Sequence, residues 1–117
     1  MKEVYLVWNS YKDNKLILIG RLKQEEDLYK FKYGKDALYA EKVGCMIPFP
    51  YQEEEYIFDT LPSFFDQRIL KGKFNTEKFG IDTNDGNKLN FLVYNDSKKN
   101  SDNFRIITKE KYMSLNM

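Results

Sequence analysis

The sequence predicts an α+β fold: a twisted, mostly antiparallel sheet packed against several short helices. Three observations point there. EVYLVW (Glu3 to Trp8) and LILIGRL (Leu16 to Leu22) are strand-forming runs separated by the polar stretch NSYKDNK, which is the pattern of a hairpin. LYKFKY (Leu28 to Tyr33) alternates with period two, so Tyr29, Phe31 and Tyr33 share one face while Leu28, Lys30 and Lys32 share the other. The helix-forming runs are short, and each ends at a breaker: Gly44, Pro62 or Gly72.

Within the first hairpin, Gly20 marks a bulge or a close backbone approach. The segment KDALYAEKVG (Lys35 to Gly44) predicts a short helix capped by its glycine, with Leu38, Tyr39 and Val43 as a partial apolar stripe. In CMIPFPYQ (Cys45 to Gln52), Pro48 and Pro50 hold their predecessors extended, so an edge strand or tight connection is expected. EEEYIFDTL (Glu53 to Leu61) places acids where a first helical turn favours them and puts Ile57, Phe58 and Leu61 on one helical face. A helix ending before Pro62 is therefore expected, with a second from Ser63 to Gly72 carrying Phe65 and Ile69 four apart.

The later chain is more polar. FNTEKFGI (Phe74 to Ile81) predicts a single helical turn and DTNDGN (Asp82 to Asn87) a link. KLNFLVYN (Lys88 to Asn95) fits strand or helix equally, DSKKNSDN (Asp96 to Asn103) reads as a loop, and FRIIT (Phe104 to Thr108) as a short strand. From about residue 109 the tail is expected to fray. With no repeat and no boundary, residues 1–117 read as one domain.

Composition narrows the chemistry. Nineteen basic and eighteen acidic residues leave a net charge of +1, so no global field draws the chain to a polyanion. There is no histidine, which removes the usual neutral-pH acid–base group and a main zinc ligand. The one cysteine, Cys45, sits in an apolar run and reads as a buried inert thiol. Asp59 and Asp66 are separated by Pro62 and are not aligned on one straight helix, so paired-carboxylate or magnesium chemistry has little support. Glu53 to Glu55 read as exposed. No catalytic constellation, cofactor site or metal site is expected, and a non-enzymatic role follows. The absence of a secretory leader or long apolar run predicts a cytoplasmic protein without membrane contact.

Two binding readings remain. Lys30 and Lys32, with Lys98 and Lys99 in the later loop, are the candidates for a nucleic-acid-binding accessory domain, although alternation sets the lysines opposite the strand's rings. Tyr51, Tyr56, Phe64 and Arg68 are of the types that anchor protein contacts.

The order YLVW, NKLILIGRL, YKFKY, MIPFP, YIFDTLP and DQRIL, from Tyr5 to Leu70, resembles the N-terminal domain of HipA-type serine/threonine kinases. YIFDTLP resembles that family's aromatic helix ending in Leu-Pro, and Arg68 matches the arginine of the helix after it. The resemblance implies a free-standing small component of a split toxin–antitoxin system, since the ATP-binding region of these kinases lies downstream. Such a component would bind and restrain a separate HipA-like kinase encoded nearby, within a larger complex that includes a DNA-binding protein. Tyr56, Phe64, Asp66 and Arg68 are then the expected contact residues.

Overall fold

The structure is a computed structural model that describes residues 3–10, 15–71, 89, 92–93 and 103–115. Five antiparallel strands form one sheet: β1 (Glu3–Asn9), β2 (Leu16–Glu25), β3 (Leu28–Tyr33), β4 (Tyr56–Phe58) and β5 (Phe104–Ile107). Their spatial order is β4-β3-β2-β1-β5. Among the described residues three short helices are delimited: α1 (Ala37–Lys42), α2 (Ser63–Lys71) and α3 (Lys109–Leu115). Leu89, Leu92 and Val93 are also helical, which favours helix over strand at those three positions of KLNFLVYN.

Alternation builds the core. Val4, Leu6 and Trp8 of β1, Ile17, Ile19 and Leu22 of β2, and Tyr29, Phe31 and Tyr33 of β3 pack into one cluster with Ala37, Ala40, Leu61 and Phe65. Ile19 and Leu22 could not share a face on a regular strand. They do so because Leu6 pairs with Gly20 while Val7 pairs with Leu18, which leaves Ile19 as the extra residue of a bulge. Gly20 is required beside it: an added Cβ would lie 2.5 Å from Phe31 Cζ and 2.7 Å from the Lys32 carbonyl oxygen.

Helix α1 ends as its glycine predicts. Cys45 N–H donates to the Ala40 carbonyl at 2.9 Å and Gly44 N–H to that of Glu41 at 3.3 Å, with Gly44 at φ 113°. This is a Schellman closure. The buried face of α1 is Ala37 and Ala40, and Leu38 and Tyr39 lie outward at 44% and 48% exposure. The expected Leu38–Tyr39–Val43 stripe is thus only realised at Val43, which packs on the core. Small alanines let the helix approach the sheet where larger side chains could not fit.

Two further expectations change. Residues 53–61 do not form a helix; Tyr56–Phe58 pair with Tyr29–Phe31 as edge strand β4. Period-two alternation sends Tyr56 and Phe58 into the rings beside them, and open hydrogen-bonding groups on the outer edge of β3 outweigh local helix preference. Residues 109–115 are helical where fraying was expected. Lys111 N–H donates to Thr108 Oγ1 at 3.1 Å as an N-cap, and the Tyr112 ring sits 5.5 Å from that of Tyr5. Helix α3 thereby covers a second cluster, Tyr5, Val7 and Ile107 with Leu16 and Leu18, on the opposite face of the sheet. Among the described residues no helix is long and apolar enough to cross a membrane.

The expected turn at Phe74 to Ile81, the link at Asp82 to Asn87 and the lysines Lys98 and Lys99 lie outside the described residues.

Candidate functional site

Aromatic packing organises the β4 end of the molecule. Phe31 is fully buried, with Tyr33 and Phe49 edge-on at 4.9 and 5.4 Å and Phe65 tilted at 5.9 Å. Phe49 comes from the proline-bounded connection and reaches Tyr56 at 5.2 Å and Phe58 at 5.3 Å. The rings continue through Phe65 and Phe64 to Phe104 on β5, with the last two edge-on at 5.2 Å.

Hydrogen bonds fix that connection. The Tyr33 hydroxyl donates to the Phe49 carbonyl and accepts from the Phe49 N–H at 2.8 Å. Burial pushes the Tyr33 phenol up to about 12 from its ordinary 10.0, so it stays protonated and able to donate. The Tyr56 hydroxyl donates to the Pro50 carbonyl at 2.7 Å. Segment 45–50 is therefore a strap holding Phe49 between the sheet and β4.

The expected contact residues fall along this cluster. Tyr56 is half-buried on β4, stacked on Phe58 with centroids 5.8 Å apart. Phe64 is half-buried and packs against the core, with its ring edge-on to Phe65 and Phe104. Asp66, half-buried on α2, faces Tyr29; burial first and the Asp66 charge second raise that phenol above its ordinary value. Arg68 belongs to α2 by its backbone, and its side chain lies outside the described residues. Tyr51 is partly exposed with its ring 5.6 Å from that of Tyr33. Cys45 is buried, as the apolar run around it predicts.

The residue that sequence reasoning missed is Ile57. It is 60% exposed at the centre of β4, the terminal strand among the described residues, and its side chain lies on the face opposite the Phe31 core, beside Lys30. Read as a helix, the segment places Ile57 in a packed stripe. Read with period two, Tyr56 and Phe58 go inward and Ile57 outward, which was the available signal. Glu53, Glu54, Glu55 and Asp59 surround it, all exposed, and none is in an ion pair with a described residue.

The same face carries the lysines of β3. Lys30 pairs with Lys23 and Lys32 with Arg21 across the β2–β3 ladder, so four cations lie together. Lys30 is bound by Glu25 at 2.9 Å and Lys23 lies 3.8 Å from Glu3. The Glu25 hydrogen bond and charge, with smaller effects of Glu55 and Glu26, raise the Lys30 ammonium above its ordinary value. Arg21 and Lys32 have no ion-pair partner among the described residues. Tyr29, Phe31 and Tyr33 are buried on the other face, so the rings and cations of this strand do not form one groove.

These features define a small α+β domain whose main core lies on one face of the sheet, with the C-terminal helix on part of the other face and a short terminal strand that presents an exposed isoleucine in an acidic stretch. No known family model matches the chain, and no curated protein is found similar to it.

Proposed function

We propose that this chain is a non-catalytic binding module that docks on a separate protein through the β4 edge, and that the partner is a HipA-like kinase whose activity it restrains. The observation that carries the binding reading is Ile57. An apolar side chain 60% exposed on the terminal strand of the sheet, among the described residues, is an arrangement suited to strand addition. The partner class rests on the resemblance of YLVW, MIPFP, YIFDTLP and DQRIL to the N-terminal domain of HipA-type kinases. In this reading Tyr56 and Phe64 hold the surface in shape through ring packing, and Asp66 and Arg68 on α2 extend the contact. Docking would replace the packing that longer relatives make within one chain, and a DNA-binding protein could join the same complex.

Coexpression with a kinase-like protein encoded nearby tests it. The expected result is a complex that co-purifies and a lower phosphorylation rate than for the kinase alone. Ile57→Lys should release the partner while the fold persists. No complex, together with unchanged kinase activity, would sink the proposal.

A second reading, contact with a nucleic-acid backbone, is favoured by one observation: Arg21 and Lys32 face each other across the ladder without an ion-pair partner among the described residues. It predicts binding to DNA or RNA that weakens steeply with salt and falls when Lys30 or Lys32 is neutralised. Flat titrations at low salt would reject it.

A further inference from the structure

The strap across the aromatic cluster is attached differently from the elements it joins. Cys45 N–H belongs to the closure of α1, and Tyr56 belongs to the β4 ladder. Between them, residues 46–52 make no backbone-to-backbone hydrogen bond with a described residue. Phenol hydroxyls take the place of a ladder. Tyr33 donates to the Phe49 carbonyl and accepts the Phe49 N–H at 2.8 Å, and Tyr56 donates to the Pro50 carbonyl at 2.7 Å.

Apolar attachment is equally sparse. Ile47 and Phe49, two apart and so on one face of an extended segment, pack on the core and are only half-buried. Their neighbours Met46, Pro50 and Tyr51 are exposed. In β1, by contrast, Val4 to Trp8 are all buried and strands pair with it on both sides. Local opening is favoured where few apolar contacts and few ladder bonds must break. Pro48 and Pro50 fix their own φ and keep Ile47 and Phe49 extended, so the four residues form one stiff piece.

We propose that the strap, residues 46–52, is a latched unit that opens as a whole while the sheet stays folded, with the Tyr33 and Tyr56 hydroxyls as its two latches. Opening withdraws Phe49 from Phe31, Tyr56, Phe58 and Phe65 and bares those rings. The motion belongs to this chain alone and does not depend on which partner β4 takes.

Native-state hydrogen exchange on the full chain, followed by NMR in urea below the unfolding transition, tests it. The Phe49 amide reports the strap, because its acceptor is the Tyr33 hydroxyl. Amides of β1 and β2, each paired on both sides, report global unfolding. Relative to its unstructured rate, Phe49 should be protected, but about tenfold or more less than the sheet amides, and its exchange should barely respond to urea.

Two variants separate the motions. Ile107→Val removes a methyl from the buried cluster on the opposite face, which the strap does not touch. It should speed the sheet amides by about two- to tenfold and leave Phe49 unchanged. Tyr56→Phe removes one latch while leaving the Phe49 N–H its own acceptor. It weakens the closed state itself, so Phe49 and the sheet amides should both exchange faster, by about two- to tenfold.

Phe49 exchange that rises with urea and with Ile107→Val in step with the sheet would show that the strap opens only in global unfolding, and would overturn the proposal. So would a Phe49 rate unchanged by Tyr56→Phe, which would mean that the two hydroxyls do not close one unit. Unprotected exchange of Phe49 in the parent protein would show that nothing is latched.

Discussion

The two ends of the sheet are built differently. At the β1–β5 end both faces are covered: Val4, Leu6 and Trp8 lie under the helices, while Tyr5, Val7 and Ile107 lie under Tyr112 of α3. At the β3–β4 end, among the described residues, only the face of the Phe31 core is covered. Its other face carries Arg21, Lys23, Lys30, Lys32 and the exposed Ile57. The contrast separates residues that hold the fold from residues that can change without harming it. Surface that folding leaves open, with a strand edge beside it, is where a binding function can reside.

The largest effect should come from the shared core. Phe31→Asp puts a carboxylate where Tyr33, Phe49 and Phe65 meet, with no described partner for it, and should abolish folding. The milder Phe31→Ala should cost about 3–5 kcal/mol by urea denaturation. A folded Phe31→Asp protein would mean that the aromatic cluster does not hold the β4 end.

Next comes the bulge. Gly20→Val drives a side chain into Phe31 and the Lys32 carbonyl and should cost ~1–3 kcal/mol. Tyr112→Ala tests the doubly covered end. Loss of its contact with Tyr5 should cost roughly 1–2 kcal/mol and detach α3, read as a loss of helical signal.

A pH test addresses the strap. The folded-state value of Tyr33 lies above its ordinary one, at about 12 against 10.0, so the unfolded phenol ionises first as pH rises. The stability it contributes is complete below pH 10 and is lost as pH climbs from 10 to 12. Tyr29 and Tyr112 are raised chiefly by burial and act in the same direction. Tyr33→Phe should flatten part of that decline in the urea midpoint, while lowering stability at every pH through loss of the clamp on Phe49.

The smallest effect on stability belongs to Ile57→Lys, which should stay within about 0.5 kcal/mol of the parent protein because the side chain is mostly exposed. Binding should respond to it most. Phe64→Ala is a poorer probe of the interface, because Phe64 packs on Phe65 and Phe104 and its removal disturbs the fold as well.

Much of the sheet was legible in the residues. YKFKY alternates so cleanly that its buried face needed no further information, and the opening hairpin and FRIIT also lie in strands. Gly20 and Gly44 act as their positions suggested. YIF was misread because three preceding glutamates and a following Leu-Pro suit a helix, and nothing local shows that β3 has an edge to offer. The tail was misread for a similar reason: Tyr112 packs on Tyr5, Val7 and Ile107, and Tyr5 and Val7 lie far away in the chain.

The candidate site was legible in part. Tyr56, Phe64 and Asp66 do lie along one cluster, but their rings and charge are partly used in packing, and Ile57 beside them is the residue left facing outward. By itself the sequence determined the fold class, the buried side of β3, the capped α1 and the start of α2 after Pro62. These rest on period, steric limits of glycine and proline, and near-neighbour contacts. Only the tertiary structure decided that Tyr56–Phe58 is a strand, that Ile19 is bulged, and that Ile57 faces outward between acids. Each depends on a hydrogen-bonding edge or a ring supplied by a segment distant in sequence, and local residue preferences carry no record of it.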